Sequence, residues 1–213
     1  MTRRFGLGHE MISAWKTIRR MGYALNRTHK RRVFGIGLSR TGTKSLHQAL
    51  QHLGYRSEHF PTHLLGIDNG ALTLDVDGVR HYEAITDTVA SAFYRELDAR
   101  YPDAQFILTV RDIDAWQRSC AAHFASMEGE PATRGAHKIR LLRQRTYGTI
   151  DFDPDVFRSA YLRHVEHVQA HFRGRGNLLV VDLCGGQGWA PLCSFLGFET
   201  NMSAFPWANR RLS

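Results

Sequence analysis

The 213-residue chain has only three cysteines, Cys120, Cys184 and Cys193, and no CxxC pair. An odd number at such spacings argues against a disulfide framework or a zinc ligand set and leaves reduced thiols as the expectation. No apolar run approaches the ~18–20 residues that span a bilayer. The first residues carry Arg3 and Arg4 but no apolar stretch of signal-peptide length and no small-residue cleavage site, so the expected location is cytoplasmic. Internal repeats and low-complexity segments are missing. So is the aromatic-basic pattern of an RNA-recognition module or a helix-turn-helix, which removes nucleic acid from the expected partners.

Positive charge is plentiful. The formal net charge is +8 and the isoelectric point is near 9.8, against an ordinary globular background of 43% hydrophobic and 23% charged residues. Such a surface favours anionic partners without choosing among them. The length suits one domain with a full core. Residues 1–32 read as a basic leader. Met11, Ile12, Trp15, Ile18 and Leu25 fall roughly on one helical face with Lys16, Arg19 and Arg20 between them. Such a stripe either packs on the domain or rests on a membrane surface.

Residues 33–213 read as the domain proper. Val33–Leu38, Tyr55–Phe60, Tyr82–Thr86, Phe106–Val110 and Leu178–Val181 are candidate strands, those at Phe106 and Leu178 reading as strongly buried. Lys44–Leu53, Val89–Arg100, Asp114–Ala125, His137–Arg145, Val156–Phe172 and Trp189–Leu196 carry helical periodicity, while Pro61–Arg80 shows no clear pattern. The alternation predicts an α/β fold of three layers, a central, mainly parallel sheet flanked by helices.

The first strand runs into Gly37-Leu38-Ser39-Arg40-Thr41-Gly42-Thr43-Lys44-Ser45, and a helix follows. In that context Gly37 and Gly42 allow a tight turn close to an anion. The free N–H groups of the helix start then point at a phosphate. Thr41, Thr43 and Ser45 offer hydroxyls, and Arg40 and Lys44 offer charge. The match to the triphosphatase pattern GxxxxGK[ST] is offset, because Thr43 stands directly after the second glycine and Lys44 comes one later. One residue at a helix start is a rotation of ~100°.

Arg40-Thr41-Gly42-Thr43-Lys44-Ser45 resembles the 5′-phosphosulfate loop of the sulfotransferases that use 3′-phosphoadenosine 5′-phosphosulfate (PAPS). Arg111, after the Phe106–Val110 strand, and Ser119 eight residues on resemble that family's 3′-phosphate pair. Three longer segments, GLSRTGTKSLHQALQHLGY, AITDTVASAFYRELDARYPDAQFILTVRD and LLVVDLCGGQGWAPLCSFLG, are similar to short bacterial and fungal members and extend the resemblance over most of the chain. It implies a phosphate-binding-loop fold and a PAPS-dependent transferase. Arg40 through Ser45, Arg111 and Ser119 would bind the donor, Lys44 would stabilise the leaving phosphate, and no metal is expected. A tryptophan common in cytosolic members at the position of Ser45 is missing, so the adenine has no assigned partner.

Transfer to a hydroxyl or amine needs a base. Asp87, after the Tyr82–Thr86 strand, is the first candidate, and His59, beside Glu58, is the second. Asp87 also suits a helix N-cap, and Arg111 also suits an ion pair with Asp112 or Asp114. The acceptor is left open among small molecules, glycans, lipids and peptides, with its pocket expected from Pro61–Arg80 and Ser126–Pro154. Two readings compete. One is a kinase or nucleotide triphosphatase with Asp182 holding Mg²⁺; the other is a binding protein without turnover. His164, His167 and His171 share a helical face and read as solvated positions, with a metal site as the lesser alternative. Arg140, Arg143 and Arg145 read as a solvated face or an anion contact.

Overall fold

The computed structural model describes residues 30–126, 135–199 and 204–208. The apolar stripe of the leader lies outside them. Where the chain becomes visible it is already tied down. Lys30 donates to the Leu53 carbonyl at 2.9 Å, and Arg32 donates to the carbonyls of Tyr82 and, at 3.2 Å, Arg80.

Five strands form the main sheet: β1 (Val33–Gly35), β2 (Ser57–His59), β5 (Ala84–Thr86), β6 (Gln105–Thr109) and β7 (Leu178–Val181). Their order is β2-β5-β1-β6-β7, and every pairing is parallel. The seven α-helices among the described residues are α1 (Thr43–His52), α2 (Thr88–Ala92), α3 (Tyr94–Arg100), α4 (Ile113–Ala125), α5 (Ala136–Tyr147), α6 (Pro154–His171) and α7 (Trp189–Leu196). The expected α/β architecture is therefore present. Strand alternation sorts the core into two faces. Val33, Ala84 and Ile107 pack with Leu46, Leu50 and Leu192 of α1 and α7. Phe34, Ile85, Phe106 and Leu108 pack with Leu97, Val168 and Phe172 of α3 and α6. The sheet is thus covered on both sides, as a parallel sheet must be.

Several elements differ from their sequence readings. Pro61–Arg80 holds an antiparallel hairpin, β3 (Leu65–Asp68) and β4 (Ala71–Leu74), turned at Asn69 and Gly70. Only Leu65 and Leu72 are buried in it, too few to print a strand pattern. Val89–Arg100 is two helices, because Phe93 leaves helical geometry at φ −124°. The strand at Leu178 is an edge, not a buried strand: Val180 is 39% exposed. A short apolar run does not distinguish a central strand from an edge.

The strand order positions the site. β1 lies between β5 and β6, and the chain leaves it first toward one side of the sheet and later toward the other. Ligands in open α/β sheets gather at this switch, beyond the carboxyl ends of the strands. The segments that follow β1, β2, β5, β6 and β7 all meet there.

Candidate active site

Two glycines set the loop between β1 and α1. Gly37 lies so close to β6 that a Cβ would meet the Thr109 hydroxyl at 1.8 Å. Gly42 takes φ +95°, and its approach to Leu183 and Cys184 leaves little room for a side chain. Arg40 is also left-handed, at φ 71°. The turn is held from behind. Trp116 of α4 donates its indole N–H to the Ser39 carbonyl at 2.9 Å, and Ser91 donates to the Gly37 carbonyl at 2.5 Å.

The first helical bond of α1 runs from Leu46 N–H to the Gly42 carbonyl at 3.0 Å. The N–H groups of Gly42, Thr43, Lys44 and Ser45 donate to no group among the described residues. Such a helix start attracts an anion through its free donors and its dipole. Lys44 is exposed and lines the cavity in front of them. The three hydroxyls diverge. Thr41 is fully buried; its Oγ1 donates to the Leu38 carbonyl and contacts Thr109 Oγ1, each at 2.6 Å. Its hydroxyl therefore shapes the loop, which corrects the expectation that it faces a ligand. Thr43 donates to Asp87 at 2.5 Å, and Ser45 accepts the Ala208 N–H at 3.0 Å.

Arg111 and Ser119 reach the same place. Arg40 donates through Nε to Ser119 Oγ at 3.0 Å, and Arg111 donates through Nη1 to the Arg40 carbonyl at 3.1 Å. Tyr161 fixes the Arg111 backbone, accepting its N–H at 2.9 Å and donating to its carbonyl at 2.7 Å. The Arg111 Nε is buried with no acceptor. The ion-pair alternatives for Arg111 are taken up elsewhere: Asp112 caps α4 through Ala115 N–H at 2.9 Å, and Asp114 pairs with Arg158 at 2.9 Å.

On the other side of Lys44 stand both candidate bases. Asp87 is 5% exposed and caps α2, accepting the Thr88 N–H and hydroxyl through Oδ1, each at 2.6 Å. Its Oδ2 accepts from Thr43 and lies 3.6 Å from His59 Nε2. The His59 Nδ1 meets the Thr86 hydroxyl at 3.0 Å. The imidazole is the more open of the two groups. Neighbouring His47, 5.7 Å from His59 ring to ring, titrates below the usual histidine range, first through burial and then through His59.

Arg40, Lys44, His59, Asp87, Arg111 and Ser119 border one cavity of about 830 Å³. Its described cations are Arg40, Lys44, Arg111, Arg118 and Arg143, and its one described carboxylate is Asp87. The arrangement is built for an anion.

Set beside known proteins, residues 32–213 match the family model described as "Sulfotransferase domain". The chain belongs to the sulfotransferase family. Its reaction class is therefore transfer of a sulfuryl group. Ava biosynthesis cluster protein M of Aspergillus versicolor is 28% identical over 210 residues, covering 82% of this chain and 79% of that protein. The crystal structure of a sulfotransferase from Alicyclobacillus acidocaldarius shares the fold. Its TM-score is 0.51 at 18% identity, over 82% of this chain and 84% of the other.

The sulfotransferase cavity also contains residues that sequence reasoning missed. Trp207 and Ala208 line it beside the loop, held by Phe205, which is buried against Trp189 at 4.9 Å. Nothing local signals this, because the contact with Ser45 spans 163 positions. Other expectations need correcting. Among the histidines read as solvated, His164 is half-buried and donates to the Ile36 carbonyl at 2.7 Å. His171 donates to Asp98 at 2.8 Å. The three arginines separate as well. Arg143 borders the cavity, Arg145 pairs with Glu96 at 2.6 Å, and Arg140 is exposed. Asp182 accepts the Gly185 N–H at 2.7 Å and does not line the cavity. Among the described residues no group of three His, Cys, Asp or Glu side chains is arranged to hold a metal ion, and no helix is long and apolar enough to cross a membrane.

Proposed function

We propose that the protein transfers the sulfuryl group of PAPS to a hydroxyl or amine, with His59 as the base. The observation that carries this reading is the convergence of Arg111, Arg40 and Ser119 on the cavity of Lys44 and the free α1 amides, with the buried Nε of Arg111 left without an acceptor. A guanidinium edge with an unused donor fits a phosphate. Arg111, Arg40 and Ser119 would take the 3′-phosphate, and the amides of residues 42–45 with Lys44 would take the 5′-phosphosulfate. Trp207 offers a flat face next to Ser45 for the adenine, the subsite for which no loop residue stood in the sequence.

As the new bond to sulfur forms, negative charge grows on the departing phosphate oxygen. Lys44, which lines the cavity, and the α1 amides, held by the helix start, would stabilise it, as oxyanion donors do. The acceptor proton goes to His59 Nε2. The imidazolium that results lies 3.6 Å from Asp87 Oδ2, which offsets its charge. Asp87 thereby acts through His59 as a positioning residue, clamped by Thr88 and Thr43.

The test is ligand-dependent melting. PAP, the nucleotide left when PAPS gives up its sulfuryl group, is expected at 100 times its Kd to add about 2.7 kcal/mol of stability without a divalent ion. Mass spectrometry of a reaction with PAPS is expected to show a product heavier by one sulfuryl group. A response to ATP or GTP that demands Mg²⁺, with none to PAP, would overturn the proposal in favour of a kinase or triphosphatase.

A further inference from the structure

The same cavity has a second end, and we infer that it takes a phenol: a small, flat, apolar acceptor with its hydroxyl on the ring. This inference rests on the sulfuryl-transfer reading above. Phe60 follows directly on His59 and packs beside Leu142 in one apolar cluster with Leu65 and Val89. Ile139 and Leu142 stand three residues apart, on one face of α5, and both line the cavity. Phe124, at the far end of α4, continues the wall. The ring of Tyr147 closes it, stacked on Phe157 at 4.3 Å and 11°. Arg143, a cation among the described residues of this wall, has its guanidinium 4.6 Å over the Phe124 ring.

Three features of this wall select the acceptor's chemistry. First, no Asn, Gln or Glu lines the cavity among the described residues. A glycan needs such side chains, because each hydroxyl lodged against an apolar wall loses its water partner, a penalty of roughly 5- to 150-fold in affinity. Second, Phe60, Phe124 and Tyr147 put aromatic rings on this wall, Phe60 beside His59, and ring faces and edges pair well with a flat aromatic guest. Third, the base is an imidazole. A phenolic proton, with a pKa of ~10, lies far nearer to imidazole than that of an aliphatic alcohol. The step balances as follows. The phenol oxygen forms the new bond to sulfur, and the sulfur–oxygen bond to the 5′-phosphate breaks with its electron pair left on the phosphate. The phenol proton passes to His59.

2-Naphthol is a suitable probe. Calorimetry on protein already saturated with PAP is expected to show 2-naphthol binding, and with PAPS its sulfation is expected to exceed that of glucose or a serine peptide at least 100-fold in kcat/KM. Ile139→Asp is expected to raise the KM for 2-naphthol at least tenfold while the PAP melting shift is kept. Phe60→Ala, at a second wall position, is expected to show the same split. If PAP binds and 2-naphthol does not, or if glucose or the peptide is sulfated equally well, the acceptor class is wrong and the donor reading stands. If PAP itself fails to bind, both fall together.

Discussion

At the scale of single residues, the candidate base pair separates by experiment. His59→Ala is expected to lower kcat by about 10²–10⁴-fold and to leave the PAP melting shift intact. Arg111→Ala removes the donor with the unused Nε and is expected to weaken PAP binding roughly 10- to 100-fold in titration calorimetry. Asp87 is unusual in its backbone, at φ 80° and ψ −169°, a region that belongs almost wholly to glycine. Asp87→Gly loses the cap and the carboxylate but sheds backbone strain of about 1–3 kcal/mol. The expected result is lost turnover with a melting temperature close to that of the parent. Most of these residues were legible as types at fixed offsets: the glycine loop, Arg111, Ser119, Asp87 and His59 all converge. Which of them face the cavity was not. Thr41 turns inward because Gly37 brings Thr109 within its reach, a contact 68 positions apart that no local pattern records.

Among elements, the joint between α3 and the end of α6 tests how the second core face is held. Asp98 receives a fork from Arg175, Nη1 to Oδ2 at 2.7 Å and Nη2 to Oδ1 at 2.6 Å, and His171 adds a third bond. The Arg175 bonds, ahead of that from His171, hold the Asp98 carboxyl below the usual carboxylate range. Arg175→Ala is expected to cost about 1.5–3 kcal/mol, a drop of roughly 3–12 °C in Tm by calorimetry. The stabilisation is present above the ordinary aspartate range and fades as acid protonates Asp98. Long periodic elements such as α4 and α6 could be placed from the sequence within a residue or two. The hairpin β3–β4 could not, because its stability comes from Leu65 and Leu72 packing under Leu142 of α5, a partner far along the chain. The break between α2 and α3 was equally silent. Phe93 is buried there with Arg145 stacked 4.2 Å over its ring, and tertiary packing overrides helical propensity.

For the molecule as a whole, partly buried imidazoles lower stability toward acid. His47, His123 and His164 all titrate below their ordinary value of 6.5, each chiefly through burial. Below about pH 6.5 the unfolded chain takes up protons that the folded state refuses, so stability falls as pH drops through that window. Thermal melts between pH 7.5 and 5 are expected to show this slope, and His164→Gln, which keeps a donor toward the Ile36 carbonyl, is expected to flatten it. The bond from Ala208 to Ser45 has a consequence for synthesis. The hollow at the first crossover is finished by a residue that is translated 163 positions after Ser45. A nascent chain stalled short of residue 205 would carry the glycine turn without its indole wall. Such stalled chains are expected to bind PAP more weakly than chains that extend past residue 208, which ties cofactor capture to synthesis of that distant wall.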